Sequence, residues 1–399
     1  MNNVEDNSRQ SLDSGDVTTA KRSSISCDRE LLAKGVGIVQ RAVSARSTLP
    51  ILQGVLIETS NQGLRLIGTD LELSIETYVP VMSTGDFQVV LPAKYLTEIV
   101  RRLPAREVII TCDSENRVVT ISSGKAIYEI NSMEAREYPL FPEVPDIPWW
   151  KVSGKNLTDF VRQTVFCAAT EETRPFLTGV FMSFEGDEVR LVSTDSFRLA
   201  LRKSSFDNVN SPKQNKGLII PARTLSEVAR IVQGSDNEVE VYASENQIAF
   251  KCQETTIVSR LIEGQFPNYD RVIPQQYSTV ITVKRVALQE TVDRVAIMGK
   301  DEFGTIRLTT DNDLLTISAN APEVGKAQDQ VTTVSMSGEP GEIALRSRYL
   351  MDILKAVDDD EVSLRLTGSL SPVVITQVGV ESKDSGSFLY LIMPVTLNA

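Results

Sequence analysis

Apolar and polar residues alternate with a period of two in matching stretches of the chain, as in Leu64-Arg65-Leu66 and Val189-Arg190-Leu191. That alternation is the pattern of a half-buried strand. Polar pairs at Asn61-Gln62, Gly186-Asp187 and Asp311-Asn312 interrupt it, so each stretch predicts a β-hairpin. Gly54, Gly179 and Gly304 follow one another at intervals of 125 residues, and so do Asp70, Asp195 and Asn320. A hairpin recurring at a fixed interval is one structural unit written three times.

Helical periodicity surrounds each hairpin. Apolar residues at three-and-four spacing precede it, at about 28–44, 155–169 and 284–298, with Leu157, Phe160, Val161, Thr164 and Val165 carrying the pattern in the second copy. A second amphipathic segment follows, Ala93–Val100, Ala222–Ala229 and Ser347–Leu354. Pro92 and Pro221 suit a first helical position, where the missing N–H has no partner to lose, and Arg346 takes that place in the third copy. The fold class is therefore α+β: three similar domains, each with two helices packed on antiparallel sheet. Periodicity lapses where prolines gather, around Pro142–Pro148 and near Pro274–Ser278. The expected divisions are 23–147, 148–276 and 277–399, after a polar extension over 1–22 that is too poor in large apolar side chains to order itself.

Composition narrows the chemistry. Among 399 residues there is no histidine, which removes Ser-His triads, histidine proton shuttles and histidine-ligated metals. No Walker-type or G-x-G-x-x-G segment is present to cradle a phosphate, so no cofactor or metal is expected. Cys27, Cys112, Cys167 and Cys252 lack the paired spacing of zinc or redox sites and read as buried reduced thiols. No apolar run approaches the ~18 residues of a membrane span, and the N-terminus has no greasy signal core, so a cytoplasmic protein is expected.

The formal net charge of −12 argues at first against a polyanionic partner. Yet the helical segments 27–44, 92–104, 154–170, 221–233, 284–300 and 346–357 together carry +9, leaving −21 on the rest. Gathered on one face, such helices would hold nucleic acid without reading its sequence. The helix macrodipole offers a purely local reason for the same bias at Arg101, Arg102, Arg230 and Lys355.

Thr48-Leu49-Pro50-Ile51-Leu52, Gly68-Thr69-Asp70-Leu71-Glu72, Ser193–Ala200, Gly264–Tyr269 and Tyr390–Val395 resemble the β sliding clamps of bacterial replicative DNA polymerases. The likeness runs from about Ile25 to the C-terminus. It implies a head-to-tail homodimer, a closed six-domain ring with helices lining the hole, that encircles double-stranded DNA non-catalytically. It also implies a pocket between the second and third domains for short peptides of the replicative polymerase, the clamp loader and repair proteins. Matching positions are Arg174, Leu177, Thr194, Arg198, Leu199, Pro267, Arg271, Val272, Ile392, Met393, Pro394 and Val395. The resemblance places Arg46, Lys94 and Arg101 toward DNA, and Lys125, Tyr128, Ile297 and Met298 at the dimer seam.

Three positions depart from the family pattern. Pro322-Glu323-Val324-Gly325-Lys326 replaces a seam segment that is often acidic, Thr396 stands where some relatives have arginine, and Phe197 where some have histidine. Two other readings compete: a monomeric repeat scaffold, and a carboxylate-metal hydrolase using Asp70, Glu72 and Asp195. Equivalent placement of Asp70 and Asp195 in two repeats favours a turn-forming role over a single active site. Read from its residues alone, Leu391–Val395 is a buried final strand.

Overall fold

The computed structural model describes residues 22–396 apart from 45–46, 84–86, 114–116, 172, 208, 211–216, 235, 300–303, 312 and 380–385. The expectations for the extension over 1–21, for Arg46 and for Asn312 lie outside the described residues. Arg22, assigned above to the extension, begins a strand.

Six α-helices occur among the described residues, two per repeat: α1 (Arg29–Val39), α2 (Ala93–Arg102), α3 (Gly154–Arg162), α4 (Ala222–Val232), α5 (Arg285–Ala296) and α6 (Ser347–Ala356). They pack as pairs, α1 on α2, α3 on α4 and α5 on α6. Each buries an apolar stripe, such as Leu96 and Val100 of α2 or Leu225, Val228 and Val232 of α4. The first helix of each pair is shorter than its periodicity suggested, because single 3-10 turns at Gln40–Ala42 and Val165–Cys167 take over in the first two repeats. Pro92 and Pro221 stand one residue earlier than expected, at the N-cap, each closing the preceding strand. A ring-locked residue with no N–H suits that handover from strand to helix.

The chain divides into two compact units, one of residues up to 68 with 78–139, the other of 69–77 with 140–399. In the first unit, Arg22–Asp28 lies inside a five-stranded antiparallel sheet ordered Val81–Ser83, Arg22–Asp28, Glu107–Asp113, Val118–Ser123, Ala126–Asn131. Ala126–Asn131 is an edge strand. The hairpin of Gly54–Ser60 and Gly63–Thr69 also pairs with Gln88–Pro92. Gly54 permits that pairing, since a Cβ there would stand 2.3 Å from Val90 Cγ1.

In the second unit the two later repeats share one sheet. Strand Arg198–Ser205 pairs antiparallel with the last strand, Phe388–Ile392, in the register Arg198 to Ile392 and Leu199 to Leu391. Nine strands, from Leu218–Pro221 to Ser335–Gly338, thereby join across the repeat boundary. Residues 73–77 pair with Thr255–Ser259 in the same unit. A four-stranded sheet completes the third repeat, with Gly325–Thr332 at its edge.

Three sequence expectations need correction. The final strand stops at Ile392, because Pro394 cannot donate to a ladder and Met393 already turns its N–H to Phe197 O at 2.8 Å. Asn320 sits within strand Leu314–Ala321, opposite Lys326, and forms no turn equivalent to those of Asp70 and Asp195. Cys252 is only half-buried, unlike Cys27, Cys112 and Cys167; all four are free thiols.

Candidate docking site between the second and third repeats

The turns at Asp70 and Asp195 are built alike. Asp195 Oδ1 accepts from the N–H groups of Phe197 and Arg198, both at 2.9 Å, while Thr194 Oγ1 accepts from Ser196 N. Asp70 and Thr69 do the same for Glu72, Leu73 and Leu71. The pinned residues take left-handed conformations, φ 77° at Ser196 and 76° at Leu71. A leucine rarely adopts such a φ, so these turns are held by their side-chain bonds. Both aspartates are spent on structure: Oδ2 of Asp70 accepts from Arg223 at 2.6 Å, and Oδ2 of Asp195 from Arg198 at 3.0 Å. That employment removes the reason to read them as metal-binding catalysts.

The second of these turns opens on a cavity. It measures about 270 Å³ and is walled by Ala168–Glu171 and Thr173–Arg174, by Leu177, by Asp195, Phe197 and Arg198, and by Arg346, Arg348 and Tyr349 at the start of α6. Arg198 is its hub, with 8% of its surface exposed. Its guanidinium donates to Asp195, to Asp352 Oδ2 at 2.6 Å and to Phe166 O at 2.6 Å, and lies 4.6 Å from the Tyr349 ring centroid. Burial pulls its pKa down, and the hydrogen bond and charge of Asp352, with the charge of Asp195, more than reverse this, so Arg198 stays cationic. Beside it, burial raises the Cys167 thiol far above its ordinary pKa, leaving an inert neutral side chain.

Of the residues expected in the pocket, Arg174, Leu177 and Arg198 line this cavity. Arg174 donates to Ser196 Oγ at 3.0 Å. Leu177 and Leu199 are buried in one apolar cluster with Phe266 and Leu391, on which Tyr269 packs. Thr194 serves the turn, its hydroxyl donating to Arg198 O at 2.7 Å. Pro267, Arg271 and Val272 are exposed at and just before the short 3-10 turn Tyr269–Val272. Met393 is 38% exposed, Pro394 and Val395 are half-buried, and Val395 donates to Ala344 O. Ile392 is different: fully buried in the core of the third repeat, it presents no surface to a ligand.

Arg346, Arg348 and Tyr349 escaped the sequence reading. Their signal was present, because two arginines at the N-terminal end of a helix oppose its macrodipole. A local rule broken in this way marks a site with another task.

Elsewhere, Lys94 and Arg101 lie seven residues apart on the exposed side of α2, where Arg102 pairs with Glu98. Lys125 and Tyr128 lie at the edge strand Ala126–Asn131, Ile297 is exposed at the end of α5, and Met298 packs partly on the core. Among the described residues no helix is long and apolar enough to cross a membrane, and no cluster of His, Cys, Asp and Glu is arranged to hold a metal.

Models of the N-terminal, central and C-terminal domains of the DNA polymerase III beta subunit match residues 23–142, 151–268 and 270–396. The chain belongs to the DNA polymerase III beta subunit family. The beta sliding clamp of Halalkalibacterium halodurans is 33% identical over 380 residues, spanning 92% of this chain and 98% of that protein. The sliding clamp structure from Bacillus subtilis superposes with a TM-score of 0.88 at 30% identity, covering 94% of this chain and all of that one. A Pseudomonas aeruginosa sliding clamp bound to griselimycin gives 0.86 at 28%, with the same coverage. The three-repeat α+β architecture of this beta-subunit chain is thus the clamp fold.

Proposed function

We propose that this chain is a DNA sliding clamp, a non-catalytic processivity factor that encircles duplex DNA as a homodimeric ring. The carrying observation is the run of three beta-subunit domain matches across residues 23–396. Two chains of three domains supply a six-domain ring, and a ring holds DNA by topology, so phosphate attraction without base readout lets it slide. Lys94 and Arg101 are exposed helix cations suited to that attraction. The expected partners are the replicative polymerase, the clamp loader and repair proteins.

These partners dock a short, largely apolar peptide where the second and third repeats share their sheet. An apolar floor of Leu177 and Leu199, an adaptable Met393 and a polar arginine rim suit such a groove. The test is fluorescence polarisation with a labelled peptide of the Gln-Leu-x-Leu-Phe type. Saturable binding is expected, weakened at least about tenfold in Leu177→Ala/Met393→Ala with the dimer intact. Because Leu177 is buried, Met393→Ala alone serves as the variant that leaves the core filled. Absence of binding to the wild type, or equal loss of binding and dimer, overturns the assignment.

A further inference from the structure

Another cavity lies in the first unit, at the edge of its five-stranded sheet. It measures about 460 Å³ and is lined by Ser26–Asp28, Pro80–Met82, Arg106 and Glu107. Val81–Ser83 is the edge strand there, paired on one side with Ile25–Cys27 and open on the other. Pro80 and Val81 make the wall apolar, and Met82 stands out from it with 78% of its surface exposed. The charges at the cavity do not balance. Arg106 and Asp28 answer each other in an ion pair at 2.8 Å. Glu107 accepts only from the neutral Ser26 hydroxyl, at 2.6 Å, and no lysine or arginine among the described residues pairs with it. One carboxylate therefore stands beside an apolar wall without a cation.

We propose that this cavity receives a lysine or arginine of a partner polypeptide lying extended along Val81–Ser83. Such a side chain is the complement of the site, because its methylene stem covers apolar surface while its charged end reaches a carboxylate. The stem packs on Pro80 and Met82, and the cation meets Glu107. Met82, unbranched and polarizable, adapts to either stem. The open edge of Val81–Ser83 offers backbone donors and acceptors to the partner, as in strand addition to an exposed sheet edge. Alternate residues of the added strand face one side, so a single basic residue at the right register enters the cavity. Nucleic acid fits worse, since Glu107 repels phosphate. The site shares no residue with the cavity at Arg198, and the proposal goes beyond the docking reading.

The test uses the full chain labelled with carbon-13 at its methionine methyls, with the Met82 signal assigned from Met82→Leu. The probes are acetyl-Thr-Val-Arg-Val-Thr-amide and the same peptide with neutral citrulline or with glutamate in place of arginine, each titrated by NMR. The arginine probe is expected to shift the Met82 methyl saturably. It should bind about tenfold tighter than the citrulline probe at low salt and less so at high salt, since one charge-assisted contact separates them. The glutamate probe should leave the signal unmoved. Glu107→Gln should bring the arginine and citrulline probes to the same Kd, with the other methionine signals and the thermal midpoint at wild-type values. The probe comparisons on wild type need no variant, so they decide the matter even if Glu107→Gln fails to fold. A Met82 signal that no probe moves overturns the proposal. Equal Kd values for the arginine and citrulline probes on wild type, or an arginine preference that survives in Glu107→Gln, do the same. Tighter binding of the arginine probe to Arg9→Ala than to wild type would make Arg9 of this chain the occupant, and would overturn the assignment to a partner.

Discussion

Arg198 and Asp352, 154 residues apart in the chain, meet in a 2.6 Å hydrogen-bonded ion pair. Arg198 opens a strand of the second repeat and Asp352 lies midway along α6 of the third. The pair therefore fastens together the two repeats whose meeting forms the cavity. Arg162 of α3 adds a second fastening, donating to Ala356 O at the end of α6 at 2.7 Å.

Removing Arg198 strands two carboxylates at a largely buried place. Arg198→Ala is expected to cost about 3 kcal/mol, the penalty for breaking a buried pair from one side. Urea denaturation followed by circular dichroism measures it. Arg198→Lys should recover only part, because an ammonium cannot serve Asp195, Asp352 and Phe166 O in the same planar geometry. A midpoint for Arg198→Ala equal to wild type would contradict the role given to this residue.

Asp28 ties stability to acid pH. Its carboxylate accepts from Arg106 at 2.8 Å and from the N–H groups of Leu31 and Glu30 at the start of α1, and these bonds lower its pKa below the ordinary value. A carboxylate with a depressed folded pKa stabilises the fold above its unfolded pKa and loses that contribution as pH falls through the folded one. Asp28→Ala should therefore lower the thermal midpoint at pH 7, with the gap to wild type closing below the usual carboxylate range. A gap independent of pH would mean that the loss is packing alone.

The glycines spaced by 125 residues are required for two different reasons. At Gly54 and Gly179 an added Cβ would meet Val90 Cγ1 at 2.3 Å and Ile219 Cγ2 at 2.6 Å, so the neighbouring strand leaves no room. At Gly304 there is space, and φ is +59°. Alanine at 54 or 179 should cost about 1–3 kcal/mol through overpacking. Alanine at 304 should cost about 1 kcal/mol through backbone strain alone. Denaturant midpoints of the three variants would separate the mechanisms, and an equal, negligible loss at all three would refute both.

The proposed ring needs a seam, and its mass tests for one. Light scattering at micromolar concentration is expected to give a mass near twice 44.0 kDa. Ile297, 61% exposed at the end of α5, and Tyr128 on the edge strand Ala126–Asn131 are the positions to charge. The double change Tyr128→Asp/Ile297→Asp should yield a folded monomer, since burying two unpaired carboxylates in an interface is strongly unfavourable. A wild-type monomer would favour the repeat-scaffold reading instead.

What the sequence determined by itself was most of what depends on near neighbours. Alternation around Asn61-Gln62 and Gly186-Asp187 and helical spacing in Ala222–Ala229 name the elements, because strands and helices bury one face at periods of two and 3.6. Asp70 and Asp195 could be read as turn residues because their bonds reach only two or three positions along the chain. Ordering between distant segments was not legible. That Arg198–Ser205 pairs with Phe388–Ile392, that Asp352 answers Arg198, that Ile392 points into a core while Met393 emerges, and that Arg346 and Arg348 reach the same cavity all follow from contacts between segments distant in the chain. No local period encodes such contacts. They are decided when the sheets of two repeats join, and buried hydrogen bonds and packed side chains then select one register from many.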